Sequence, residues 1–235
     1  MNQSSQLTDA RYTEKRTMAA QLEARVRDDI INGRLLPGSR LPLKELAEYY
    51  QAGTIPLREA LSRLAASGFI KAEQQKGFSV NRISAEEIVD ITRVRIQIES
   101  QTLTDAIQHG DVDWETRVLA AHHRLSRITA YDTPSQASNT EWESTHETFH
   151  FALLSSCNSP WLLRFAKTLY DQTARYRFIS LHYNNTDSRN VAAEHHSLMD
   201  SALARDAVTA CQILASHYQT TAQNVLKHKL LQASN

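Results

Sequence analysis

Met18, Leu22, Val26 and Ile30 recur at every fourth position, an apolar stripe that predicts a helix closing near Asn32-Gly33. The turn Leu36-Pro37-Gly38 interrupts that period. Leu43, Leu46, Ala47 and Tyr50 mark a second, short helix. Pro56 opens a third with the inner face Leu57, Ala60, Leu61, Leu64 and Ala65, which Gly68 ends. Phe69-Ile70-Lys71-Ala72 and Phe78-Ser79-Val80 are strand-like, and the polar run Glu73 to Gly77 between them makes a hairpin. Three helices and a hairpin predict a winged helix-turn-helix over residues 17–82, after a loose polar arm at 1–16.

The second half shows helical periods throughout and no strand-like alternation. Ser84, with Glu87 three residues on, forms a capping box for a long helix. Asp113 caps a helix carrying Trp114, Val118, Leu119 and Leu125, and the polar stretch 132–139 reads as a linker. Glu141 to Ser156 is periodic again, Asn158-Ser159-Pro160 starts another helix, and 183–189 is a loop. Two last helices run from about Val191 to Ala204 and from Asp206 to Lys229. The fold class is mainly α: a winged helix-turn-helix followed by an all-α antiparallel bundle of about six helices over residues 83–235.

Totals sharpen this picture in two ways. The 235 residues are 41% hydrophobic, enough to bury the cores of two modest domains. Neither a membrane span nor a secretory leader is apparent, so a cytoplasmic protein with two reduced cysteines, Cys157 and Cys211, is expected. The net charge is zero, yet residues 1–82 hold 13 of the 26 basic residues and only 9 of the 26 acidic ones. A basic head on an acidic body fits a nucleic-acid-binding module joined to a domain with another task.

Within the head, Arg58 lies in the first turn of the third helix, on the face opposite Leu57, Leu61 and Leu64. In a helix-turn-helix that end enters the major groove, where a guanidinium pairs with guanine or clamps a phosphate. The run Ile31-Asn32-Gly33-Arg34-Leu35-Leu36-Pro37-Gly38-Ser39-Arg40-Leu41 resembles the opening signature of the GntR family of bacterial regulators. Pro56 to Leu64, Gly68-Phe69-Ile70 and Gly77-Phe78-Ser79-Val80 are similar to its recognition helix and wing. The resemblance implies DNA contacts by Lys44 and Gly77 as well as Arg58, with Thr54 and Lys76 as neighbours on the backbone. Gly53-Thr54-Ile55-Pro56 lacks the arginine the family commonly carries there, so no known operator sequence transfers.

His146 and His150 share one face of a helix, and His196 and His217 each lie inside a later one. Imidazoles from three helices pointing into a bundle make a metal site, and the other six histidines are read as hydrogen-bonded core residues. Phe149-His150, Asn158, Glu194-His195-His196 with Ala202, and Arg205-Asp206 with Ala210 and His217 resemble the metal-binding FCD domain. That resemblance implies a ligand set of His146, His150, His196 and His217. The family's usual aspartate is His146 here, and nitrogen in place of oxygen favours Zn²⁺ or Ni²⁺.

Arg95-Ile96-Gln97-Ile98-Glu99 resembles the first-helix motif of the same domain. A cation inside a bundle needs an anion, so Arg95 is the candidate anchor for a small carboxylate effector, the alternative being an ion pair with Glu99. Arg175 and Arg177 are candidates for a second carboxylate, unless they lie on a solvated face. Within its branch the chain is similar to glutarate-responsive repressors of carbon-starvation genes, also at Arg175-Tyr176-Arg177-Phe178-Ile179. The expectation is a repressor, homodimeric on a pseudo-palindromic operator, released by a dicarboxylate such as glutarate. Two other classes compete. His146-Glu147-Thr148-Phe149-His150 is the zinc-peptidase pattern HExxH but lacks its downstream ligands, and a DNA-binding protein without a ligand would share the same head.

Overall fold

The computed structural model describes residues 17–73, 76–128, 136–182 and 189–227. Thr17 caps helix α1 (Met18–Ile31), which presents Leu22, Val26 and Ile30 inward. Next come a two-residue strand β1 (Arg40–Leu41), α2 (Leu43–Tyr50), α3 (Thr54–Ala66) and the hairpin β2 (Ile70–Glu73) and β3 (Gly77–Val80). The strands pair antiparallel in the order β1-β3-β2, with Arg40 opposite Ser79 and Lys71 opposite Ser79 on the other side. This sheet and the three helices enclose one core around Leu57, Leu61, Leu64, Phe69 and Val80. Helix α3 starts two residues before Pro56 because Gly53 takes the cap and places the proline within the first turn, where no amide hydrogen is missed. Strand β1 was not legible, since two residues carry no period.

The second domain holds, among the described residues, α4 (Ala85–His109), α5 (Val112–Ser126), α6 (Gln136–Leu154), α7 (Pro160–His182), α8 (Val191–Leu203) and α9 (Ala207–Leu226). Trp114, Phe149, Leu198 and Leu214 centre its core. Asp111, not Asp113, caps α5. Helix α6 reaches back to Gln136, into the stretch read as a linker. Only half of the capping box forms. Ser84 Oγ accepts from the Glu87 amide at 3.0 Å, but the Glu87 carboxylate is drawn to Tyr176 and Arg175 of α7. The expected arm at 1–16, the loop residues 183–188 and the end of the last helix at 228–229 lie outside the described residues.

The two domains meet along α7. Ala174 is fully buried in the core of the DNA-binding head, Asp171 pairs with Arg27, and Gln172 donates to the Ser67 carbonyl. Arg175 Nη1 donates to the Asn81 carbonyl at 3.4 Å. Gly68, at φ +79°, is left-handed, and a Cβ there would sit 3.2 Å from the Gln172 amide, so glycine serves both the turn and the contact.

Candidate functional site

Helix α6 sets His146 and His150 one turn apart on its inner face, both fully buried. Helix α8 supplies His195 and α9 supplies His217, and one ring nitrogen from each of the four lies within 4.8 Å of the others. The sequence reading is corrected at one ligand. His195 belongs to the centre and His196 does not. In α8 the buried residues His195, Leu198, Met199 and Ala202 form one stripe, while His196 is exposed, 3.3 Å from Asp200, with its ring tilted against that of His122 at 5.4 Å. The signal was present, because the residue four after His195 is Met199 and the one four after His196 is Asp200. Of the other histidines read as core, His109 and His123 are exposed, and the side chains of His182 and His228 lie outside the described residues.

Hydrogen bonds fix which ring nitrogens face inward. Tyr218 gives its proton to Glu99 at 2.5 Å, so its 3.4 Å contact with His150 Nδ1 requires a proton on that nitrogen. For Tyr170, accepting from His146 Nδ1 at 2.9 Å and donating to Glu143 at 3.4 Å satisfies both contacts. Burial pushes both phenols up, so both keep their protons. The two Nε2 lone pairs of His146 and His150 then face each other across 3.0 Å, an arrangement that repels unless a cation lies between them. His217 Nδ1 lies 2.6 Å from Glu194 and 3.2 Å from Arg189, and the shorter contact to the carboxylate places its proton there. His195 Nε2 is buried with no hydrogen-bond partner. Four imidazoles with inward lone pairs, one of them an orphan, fit a borderline-soft divalent ion such as Zn²⁺.

Burial, reinforced by the neighbouring rings and arginines, drives His146, His150 and His195 well below the usual imidazole pKa. His217 is also lowered, burial outweighing the pull of Glu194. The neutral form is the one a metal binds. In the metal-free protein the unfolded chain takes up protons as pH falls through about 6.5 while the folded centre does not, so folding stability falls with pH below that point. Urea midpoints in the presence of a chelator should drop steeply between about pH 7 and pH 5. A flat profile over that window would mean that the rings protonate in place.

Arg95, at 4% exposure, stands beside this centre. The ion pair with Glu99 is formed: its Nε donates to Glu99 at 2.5 Å, and its Nη1 to Thr173 at 2.9 Å. It also lies over the Tyr218 ring at 3.8 Å, yet Nη2 has no partner. Arg177 is buried, not on a solvated face. It pairs with Glu143, donates to Thr173 at 2.9 Å and covers Tyr170 at 3.9 Å. Arg175 is buried too, but it points toward Glu87 and Asn81 at the domain junction. Two voids of about 20 Å³ each open beside His146, Arg177 and His217, the first also lined by Arg95. Each has room for about one water molecule.

Arg189 was missed by sequence reading. It clamps Glu194 through two 2.7 Å bonds and reaches the His217 carbonyl at 3.0 Å. Against the cost of burial, Arg189 and His217 hold the Glu194 carboxyl down at about 2. Glu147, the would-be peptidase base, turns away from the histidines to Lys167 at 3.1 Å.

On the head, Lys44, Thr54 and Arg58 are exposed on α2 and α3, and Gly53 caps α3 without a side-chain bond, leaving the first amides of α3 open to an anion. Gly77 turns the wing at φ +84° with open space where a Cβ would stand. Lys76 is exposed and 3.8 Å from Glu73. A groove of about 460 Å³ along the wing also gathers Arg40, Lys71 and Arg82. Sequence reading did not single out these three, although the basic excess of residues 1–82 contains them.

Residues 18–80 match the gntR family of bacterial regulatory proteins, and residues 90–220 match the FCD domain. An uncharacterized HTH-type transcriptional regulator, BphR, of Paraburkholderia xenovorans is 39% identical over 88% of this chain and 84% of its own. The HTH-type transcriptional repressor GlaR of Escherichia coli is 35% identical over 83% and 90%. The structure of McbR/YncC from E. coli superposes with a TM-score of 0.70 at 22% identity, covering 94% of this chain and all of the other. A putative GntR regulator from a Rhodococcus species does so at 0.71 and 20%, over 88% and 97%. These two share the fold. No helix among the described residues is long and apolar enough to cross a membrane. With a DNA-reading head, a histidine-lined helical body and relatives that are regulators rather than enzymes, the chain belongs to the GntR family of bacterial transcriptional regulators, in the branch that carries an FCD domain.

Proposed function

We propose that the protein is a repressor that binds a pseudo-palindromic operator as a homodimer and is released by a small dicarboxylate, such as glutarate, bound between a divalent metal and Arg95. Zn²⁺, with Ni²⁺ as the alternative, is held by His146, His150, His195 and His217. The observation that carries the effector site is Arg95 Nη2, a buried guanidinium nitrogen without a partner beside the histidines. Charge supports a dianion. Around the centre Arg95, Arg177 and Arg189 each face a glutamate, and the imidazoles are neutral. A divalent metal is then the uncompensated charge, and a dicarboxylate offsets it.

The two water-sized voids beside Arg95 and Arg177 do not admit a diacid, and the cavity of about 300 Å³ beside His195 and Arg189 does not reach Arg95, so a diacid held by Arg95 has to part α7 from α4 and α9. Tyr170, Thr173 and Arg177 on α7 face the centre, while Asp171, Gln172, Ala174 and Arg175 hold the DNA-binding head. A shift of this helix therefore displaces the head and changes the distance between the two recognition helices of the homodimer. Coupling of about 1–3 kcal/mol weakens operator binding roughly 5- to 150-fold.

Selection of bound duplexes from a random pool supplies the operator. Arg58→Ala should then weaken specific binding by about 1–3 kcal/mol in fluorescence anisotropy if Arg58 reads a base. Equal loss on random DNA makes it a phosphate contact, and no loss on either removes it from the interface. Titrating glutarate and related acids into the metal-loaded complex tests the mechanism. Release by a dicarboxylate supports it, and indifference to every small carboxylate overturns it.

A further inference from the structure

We propose that Glu194, gripped by Arg189, is a positioning residue for the metal centre: it holds His217 in the Nδ1–H form with Nε2 directed inward, and as a carboxylate on Nδ1–H it makes Nε2 the stronger electron donor. This rests on the metal reading of the histidine cluster. Glu194 is itself no ligand, because both of its oxygens are engaged. Oε1 accepts from Arg189 Nε at 2.7 Å, and Oε2 accepts from Arg189 Nη2 at 2.7 Å and from His217 Nδ1 at 2.6 Å. The two ring nitrogens of an imidazole point to opposite sides, so a carboxylate on Nδ1 leaves the Nε2 lone pair for the centre.

The clamp is anchored on the helix that carries the ligand. Arg189 Nη1 donates to Thr221 Oγ1 at 3.0 Å and Nη2 to the His217 carbonyl at 3.0 Å, and the Thr221 hydroxyl donates to the same carbonyl at 2.9 Å. Arg189 immediately precedes Asn190, the cap of α8, so one guanidinium ties the start of α8 to the ligand turn of α9. His195 lies next to Glu194, and the clamp thus sets the spacing between two of the four ligands. The Arg189 and Glu194 side chains are 12% and 27% exposed, so the guanidinium left by Glu194→Ala keeps access to solvent, and the urea midpoint of the variant is measured beside its metal binding.

The test uses the full-length protein with Zn²⁺ and Co²⁺ as probes, and nitrogen NMR of the histidine rings without metal. Glu194→Ala should weaken Zn²⁺ binding about 10- to 100-fold in chelator competition. It should also alter the visible spectrum of bound Co²⁺ and convert His217 from the Nδ1–H form to a mixture of tautomers. Glu194→Gln, which keeps an acceptor but not the charge, should preserve the tautomer while still losing affinity. Unchanged Zn²⁺ affinity together with an unchanged His217 tautomer in Glu194→Ala overturns the inference while the metal centre stands. A wild-type protein that binds neither ion overturns the metal reading instead, and the tautomer then decides on its own whether Glu194 orients His217.

Discussion

Replacing His195 with alanine is expected to strip the centre of its metal, whereas the same change at His196 leaves it loaded. Structural zinc sites bind with roughly 10–16 kcal/mol shared among four ligands. Losing one ligand therefore costs about 3 kcal/mol or more, on the order of a hundredfold in affinity. His195 Nε2 is buried, unpartnered and within reach of the other three rings. His196 stands in solvent beside Asp200 and has no route inward without turning α8. Elemental analysis and chelator competition on both variants read this out directly. Full occupancy in His195→Ala with loss in His196→Ala would reverse the helix register and sink the ligand set.

The second large effect falls on Arg95, and it separates stability from sensing. Removing one partner of a buried ion pair costs about 3–5 kcal/mol, because the other charge is left in a dry interior. Arg95→Ala leaves Glu99, at 2% exposure, with only the Tyr218 hydroxyl. That variant should unfold at clearly lower urea, and its loss of effector response alone would be uninformative. The double variant Arg95→Met with Glu99→Gln removes both charges and keeps the volume, so most of the stability should return. If Arg95 clamps a carboxylate, the double variant holds metal and operator yet loses the 5- to 150-fold release by dicarboxylate, coupling of about 1–3 kcal/mol. Unaltered release in that variant would show that the ligand is held elsewhere, with Arg177 the next candidate.

Much of the molecule was written in local pattern. The stripe from Met18 to Ile30, the inner face of α3 and the wing hairpin follow from period and turn chemistry, which act within a few residues. His146 and His150 were legible because a spacing of four on a helix puts two side chains on one face wherever the helix goes. The exposed position of Arg58 was legible for the same reason, opposite the buried face of α3.

What one helix does to another was not written there. Whether α8 turns His195 or His196 inward depends on its rotation against α5 and α9, set by Leu198, Met199 and Ala202 packing into a shared core. Arg175 and Arg177, two residues apart, point to different neighbours, one to the domain junction and one to the side of the histidine cluster, because α7 is buried on two sides. Glu87, half of a capping box by local rule, is captured by Tyr176 across 89 positions of chain. Arg189 and Glu194 meet His217 only once α8 lies on α9. The sequence by itself determined the elements and their buried faces, since those are decided by short-range sterics and periodicity. Only the tertiary structure decided which polar side chains share an interior, because a buried charge must find its partner wherever packing brings one within reach.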